Sequence, residues 1–472
     1  MSSDRLNILV VMCDQLKATA IGPYGNSLCP TPQLARLAAT GTRYDLAMTP
    51  HPLCVPARTS VWTSQYSSSH GSQRNQIYLQ PGRRHAFQTW KQAGYRCGLI
   101  GKNHCFREPD DLALFDDWCE LDHLGLPENA HHAGLDWCVD PAAIQSAHAV
   151  RRQMPRQGLS FSYAATEFPE AHYGTSVIAA QTLRYLETHR DNPFALWVSF
   201  PDPHSPIEAP RAWVDRFRAV PLPPFDAREE KGMTERTQVL RRIHGWEPGD
   251  ELHVCATLAT YLAMTAMIDA AMGRILDALE RLDLRRRTVV VFCSDHGDFT
   301  GEHGIMDKGG AFYDCLVRVP LIVSCPGSVP EGRVEFDPVN LIDIVPTVLT
   351  LQGEPIPPIM QGQCLPGIAG CDARREAAFA EYGAGGPAFT QEDADRLVNP
   401  FVASLQWREA EGQRKMIRTR RWKYVHDQMG GRDELYDFES DFGERLNRAD
   451  DRDYREVREN LCRQLLTWSQ RG

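Results

Sequence analysis

Two carboxylates, an amide and an imidazole stand where apolar runs stop in this chain. Asp14 and Gln15 follow NILVVM (7–12), and Asp295 and His296 lie within TVVVFCSDHG (288–297). Such a set suits a divalent cation: the oxygens favour calcium, magnesium or manganese, and the imidazole tilts toward manganese or another transition ion. Singly, each is equally at home as a strand-end turn residue or a helix N-cap. A second set, Lys102, His104, His204 and Lys308, could bind an anion and move protons. The ordinary alternatives are a solvated lysine and a satisfied structural histidine. His204 lies between Pro203 and Pro206, whose rings restrict the backbone around it.

Cys54 sits in HPLCVPARTS (51–60), four residues before Arg58. Free cysteine is commonly a small buried hydrophobe, a reading that the neighbouring prolines and polar residues weaken. A thiolate activated by a helix N-terminus is the second option, with TSVWTSQY after Arg58 supplying a helix that starts near Thr59. A cysteine hydrolase would also need a histidine oriented by an acid or amide, and the sequence singles out no such dyad.

The elements that must position these residues read as strands buried on both faces: 7–12, 98–101, 194–200, 288–297 and 319–327. Helical patterns lie between them, the clearest over about 261–282, where Ile268, Met272, Ile275, Leu279 and Leu282 recur at helical spacing. The alternation predicts an α/β sandwich around a mostly parallel sheet, with ligand chemistry at the carboxyl ends of the strands. Beyond about residue 370 the pattern changes. Residues 416–438 read as two alternating strands joined by a Gly-Gly turn, and YREVRENLCRQLLTWSQ as a terminal amphipathic helix. We therefore expect a catalytic α/β domain over 1–370 and a smaller antiparallel subdomain over 371–472, with 210–252 as a surface excursion.

Composition narrows the class. With 472 residues, 42% hydrophobic and 24% charged, the chain has ordinary globular usage, and its net charge of -10 argues against a nucleic-acid surface. The short apolar run at the N-terminus ends without a small-residue cleavage site, so no signal peptide is expected. No uninterrupted apolar stretch reaches membrane-spanning length. Fourteen singly scattered cysteines read as thiols in a cytoplasmic protein, with no disulfide partner for Cys54.

Taken together, the motifs resemble the type I, formylglycine-dependent sulfatases of the alkaline-phosphatase superfamily. Cys54-Val55-Pro56-Ala57-Arg58 resembles the family's Cys-x-Pro-x-Arg signature. NILVVMCDQ, GKNH (101–104), PDPHSP (201–206), SDHGDFTGEHGIMDKGG (294–310), VNLIDIVPTVLTLQG (339–353) and the C-terminal RTRRWKYV…DELYDFESDFGE follow in the family's order.

The resemblance implies an alkaline-phosphatase-like sandwich in which Cys54 is oxidised by a formylglycine-generating enzyme that reads Pro56 and Arg58 on the extended chain. The hydrated aldehyde then attacks the sulfur of a sulfate monoester. One divalent ion, Ca2+ or Mn2+, is implied on Asp14, Gln15, residue 54, Asp295 and His296. Arg58 is expected to steady the diol, Lys102 and Lys308 to clamp the anion, and His204 or Lys308 to protonate the leaving alcohol. His104 is expected to deprotonate the second hydroxyl, and Asn75 to border the anion pocket.

Gln15 and His296 stand where many sulfatases carry Asp and Asn. Both resemble the phosphonate monoester hydrolase branch, and the Asp-Gln pair also resembles choline sulfatases, so phosphonate monoester or phosphodiester hydrolysis is the alternative reading. The substrate is expected to be a small sugar, choline-like or aryl sulfate ester, selected by loops over 107–170, 205–255 and 383–410, with His131, His132, Trp137 and Arg152 as candidate lining residues. Monomer and homo-oligomer both remain open.

Overall fold

The computed structural model describes residues 5–121, 132–133, 142, 149, 163–167, 169–225, 229, 232–371, 374–386 and 412–470. His131, Trp137, Arg152 and much of the loops named for substrate choice lie outside them.

Alternate side chains of the first strand are buried in opposite directions, and the architecture follows from that. In β1 (Asn7–Asp14), Leu9, Val11 and Cys13 enter one apolar cluster while Ile8, Val10 and Met12 enter another. A strand buried on both faces needs a layer on each side, which is why it reads as an unbroken apolar run. The other strands of its sheet are β2 (Thr42–Tyr44), β3 (Arg96–Gly101), β4 (Asp117–Glu120), β5 (His132–Ala133), β6 (Phe194–Pro203), β7 (Thr288–Ser294), and then, past a hairpin of β8 (Phe299–Thr300) and β9 (Met306–Asp307), β10 (Leu321–Ser324) and β11 (Arg333–Glu335). Among the described residues the sheet has nine strands in the order β11-β2-β10-β7-β1-β6-β3-β4-β5.

The central five, β7-β1-β6-β3-β4, run parallel, so their carboxyl ends share one edge. Strand β10, within the expected 319–327, is antiparallel to both neighbours. One sheet face is covered by the helices Gly174–His189 and Glu251–Arg281. The second helix starts ten residues before the expected 261, because Val254 and Leu258 extend its buried stripe. Its length and composition would allow it to cross a bilayer, but 78% of its apolar window is buried inside the protein, as in a core helix. The opposite face carries an aromatic cluster in which Trp62 packs 4.8 Å from Phe87 and 4.9 Å from Trp197. Burying each such ring contributes roughly 1.5–3 kcal/mol.

The C-terminal sheet is antiparallel in the order β12 (Ala378–Gly386), β13 (Gly412–Arg418), β14 (Trp422–Asp427), β15 (Glu434–Asp437). Residues 416–438 thus span three strands rather than two. The turn that splits them is closed by Thr419 N–H donating to Trp422 O at 2.8 Å, a turn without glycine or proline to announce it. The terminal helix Arg455–Ser469 lays Leu461 and Leu465 against Ile417, Tyr424 and Leu435.

The cysteine expectation needs one correction. Cys364 and Cys371 form a disulfide, their Cα atoms 5.4 Å apart, because the chain turns back on itself within seven residues; Cys54 is free.

Candidate active site

The parallel strands deliver their chemistry side by side. Asp295 follows β7, Asp14 ends β1, His204 follows β6 and Lys102 follows β3, in the spatial order of the strands. Neighbouring strands lie about 4.8 Å apart, so groups at adjacent carboxyl ends meet without long loops. Two glycines let the backbone pass here. Gly101, at φ 105, would place a Cβ 2.0 Å from Ser199 O, and a Cβ on Gly297 would lie 2.0 Å from Cys315 O.

Facing this edge is α1 (Cys54–Thr63), every residue of which is buried. It begins at Cys54 itself, not near Thr59, because Pro56 falls in the first turn, where its missing N–H costs no helical bond. The Asn75 side chain accepts the Val55 N–H at 3.1 Å, so it holds the start of the helix. Arg58, one turn on and fully buried, donates to Asp295 Oδ2 (2.8 Å), Asp14 Oδ2 (3.0 Å), Ser199 Oγ (2.7 Å) and Lys102 O (3.1 Å). Burial opposes its charge, but Asp295 and Asp14 hold it above its ordinary value.

Cys54 Sγ lies 3.1 Å from Lys308 Nζ, 3.2 Å from His296 Nε2 and 3.7 Å from Asp14 Oδ1. Burial and Asp14 resist ionisation of this thiol, yet Lys308, Lys102 and His296 outweigh them and hold it well below the ordinary thiol range. Burial also resists charge on Asp14, whose carboxyl is nonetheless held well below its usual range by Lys102, with which it pairs directly, and by His204 and Arg58. Burial lowers His296, but Asp295 and Cys54 pull it up to about 9. Its Nδ1 faces Gly297 O at 2.9 Å, which leaves Nε2 toward Cys54. His204 is lowered by burial and by Lys308. His104 lies two residues past Lys102 at φ 44, its ring edge-on to Tyr78.

Asp14, Cys54, Asp295 and His296 each turn a ligand atom into a cluster whose members all lie within 4.8 Å of one another. Gln15 joins it through its backbone N–H, which meets Asp295 Oδ1 at 3.1 Å, while its buried side-chain Oε1 has no hydrogen-bond partner. Two carboxylates, an imidazole and an orphaned amide oxygen are the donor set of a divalent cation, so the residues fit the ion expected from them. The structure therefore brings together Asp14, Gln15, Cys54, Arg58, Lys102, His204, Asp295, His296 and Lys308, keeps His104 adjacent, and uses Asn75 at the helix start.

Sequence reading missed Ser199, which receives Arg58, and Asp298 and Asp307, which receive the Gln15 amide. Their only signal was position: Asp298 is three residues past Asp295, and Asp307 immediately precedes Lys308.

The family model described as Sulfatase matches residues 6–354. Among characterised relatives, the chain is 27% identical to a choline-sulfatase of Rhizobium meliloti, over 95% of this chain and 83% of that protein. It is 25% identical to an arylsulfatase of Clostridium perfringens, over 98% and 93% respectively. Among solved structures, the phosphonate monoester hydrolase of Agrobacterium radiobacter superposes with a TM-score of 0.78 at 23% identity, covering 99% of this chain and 96% of that one.

Proposed function

As a member of the sulfatase family, to which the match over residues 6–354 assigns it, the chain is a sulfuric ester hydrolase, and we propose that it acts through residue 54 in its formylglycine form and one divalent cation. The reaction is hydrolysis of a sulfate monoester to an alcohol and inorganic sulfate. The oxidised residue would supply a hydroxyl nucleophile, and the cation, held by Asp14, Gln15, Asp295 and His296, would polarise sulfate oxygens.

Electrostatics support an anionic substrate. Arg58, Lys102, Lys308 and the raised His296 face Asp14, Asp295 and the Cys54 thiolate in a buried site. Exchanging that thiolate for a neutral group removes one negative charge from among these cations, which favours binding of a sulfate ester and stabilises charge building on it. Lys308, 3.1 Å from Sγ, and Lys102, whose charge also acts on residue 54, would hold the sulfate oxygens. Arg58 fixes the separation of Asp14 and Asp295. His204 would protonate the leaving oxygen, and His104 would take the proton whose removal expels sulfate.

We propose Mn2+ rather than Ca2+, because an amide and an imidazole replace two hard carboxylate or amide oxygens. Substrates of the size of choline sulfate, a sulfated sugar or an aryl sulfate suit this reading.

The observation that carries it is Cys54 Sγ within 3.7 Å of Asp14, His296 and Lys308 together. The test is peptide mass spectrometry across residue 54 from protein co-produced with a formylglycine-generating enzyme, joined to turnover of an aryl sulfate before and after chelation. Full turnover with an unmodified thiol, or turnover indifferent to chelation and Mn2+ return, would refute it. The Asp-Gln and Asp-His pairs favour a second reading, phosphonate monoester or phosphodiester hydrolysis at the same site. Parallel assays of aryl sulfate and aryl phosphonate monoesters decide which is the main activity.

A further inference from the structure

The Gln15 side chain is held by one end only. Its Nε2 donates to Asp298 Oδ2 at 2.8 Å and to Asp307 Oδ1 at 2.9 Å, and both acids are buried. Its Oε1, also buried, accepts nothing, and its backbone takes the left-handed conformation at φ 68. The two acids bracket the β8–β9 hairpin: Asp298 immediately precedes β8 and Asp307 ends β9, one residue before Lys308.

Which amide atom faces these acids follows from chemistry. An amide nitrogen has two hydrogens and can satisfy two acceptors, one each. With the amide reversed, its oxygen would face both carboxyls, and each would need a proton to pair with it. Burial and Asp307 push Asp298 up to about 8, but the reversed amide would need protons on both acids at once, whereas the amide nitrogen serves the pair, at 2.8 and 2.9 Å, while either is ionised.

We infer that Asp298 and Asp307 form a clasp that orients Gln15, turning Oε1 away from themselves and toward the cation held by Asp14, Asp295 and His296. They are positioning residues, acting on the metal through Gln15. Because Lys308 follows Asp307 directly, the same clasp ties the cation site to the lysine beside residue 54. Outer groups that orient a ligand in this way are worth about 10–100-fold in metal affinity. The inference rests on the metal site proposed above but not on any reaction performed there.

The test is Mn2+ titration, followed by electron paramagnetic resonance, of the full chain with Cys54 unmodified, which separates binding from turnover. Asp298→Asn replaces the carboxyl with an uncharged group that tolerates the reversed amide at any pH, and Mn2+ affinity is expected to fall about tenfold. Gln15→Glu places a carboxylate against the two acids and is expected to weaken binding as well. In the double variant the introduced amide can donate to the introduced carboxylate, so adding Asp298→Asn to Gln15→Glu is expected to raise Mn2+ affinity about tenfold over Gln15→Glu alone. That reversal of sign between the wild-type and Gln15→Glu backgrounds is a coupling that a merely structural role would not produce. Circular dichroism checks that each variant is folded.

An effect of Asp298→Asn with the same sign in both backgrounds, or Mn2+ affinities unchanged within twofold, overturns the clasp while leaving the sulfatase reading intact. A wild-type chain that binds no Mn2+, Ca2+ or Zn2+ overturns the clasp together with the metal reading.

Discussion

Arg58 offers the sharpest test of how this site is held together. Replacing it with Met keeps most of the volume but removes the charge that faces Asp295 Oδ2 at 2.8 Å and Asp14 Oδ2 at 3.0 Å, all three side chains being fully buried. At an effective dielectric constant of 20, each contact has a gross Coulomb energy of about 5–6 kcal/mol. Much of this only offsets desolvation, and removing one partner of a buried pair costs a net ~3–5 kcal/mol. The lost bonds to Ser199 Oγ and Lys102 O add about 1 kcal/mol each. Arg58→Met is therefore expected to lose at least ~3 kcal/mol in guanidinium unfolding, read as a lower midpoint at unchanged slope. Arg58→Lys, a single point charge without the planar fork, is expected to recover less than half of that. Added Mn2+ should narrow the gap, since a cation on Asp14 and Asp295 replaces the missing charge. A loss under about 1 kcal/mol for Arg58→Met would refute the reasoning, because it would mean that the two carboxylates do not depend on this guanidinium.

Three further outcomes are expected. His70 is held down to about 3 by burial, and its Nδ1 accepts the Ser72 N–H at 3.1 Å, so it folds neutral. The unfolded chain binds the proton first, so stability falls as pH drops below about 6.5 toward 3, by roughly 1.4 kcal/mol per unit from this residue, and His70→Gln should flatten that part of the stability–pH curve. Gly101→Ala forces an alanine to φ 105 and a Cβ to 2.0 Å from Ser199 O; a loss exceeding about 2 kcal/mol is expected, and a melting temperature equal to wild type would contradict the crowding. With Cys54 unmodified, the low-lying thiol beside His296, Asp14 and Asp295 should take Co2+ with a thiolate charge-transfer band in the near ultraviolet, absent in Cys54→Ser.

Much of this protein is determined by its sequence alone. Asp14, Lys102, His204 and Asp295 were visible because burial on both sheet faces makes β1, β3, β6 and β7 continuous apolar runs, and polar residues at their ends mark one edge of a parallel sheet. The Cys-x-Pro-x-Arg stretch was legible for a related reason, since its residue types and order are local. Local patterns were less informative where no turn residue announced a boundary, as at Thr419–Arg421, and in HPLCVPARTS, where a helix start is expected near Thr59 but Pro56 in the first turn lets it begin at Cys54. Tertiary structure alone decided the rest. It paired Gln15 with Asp298 and Asp307 across more than 280 residues, joined Arg58 to Asp14, Asp295 and Ser199 at once, and closed the Cys364–Cys371 loop. The physical reason is that a buried amide or guanidinium takes its orientation from whichever acceptors the strand register brings within about 3 Å, and periodicity along the chain carries no record of that register.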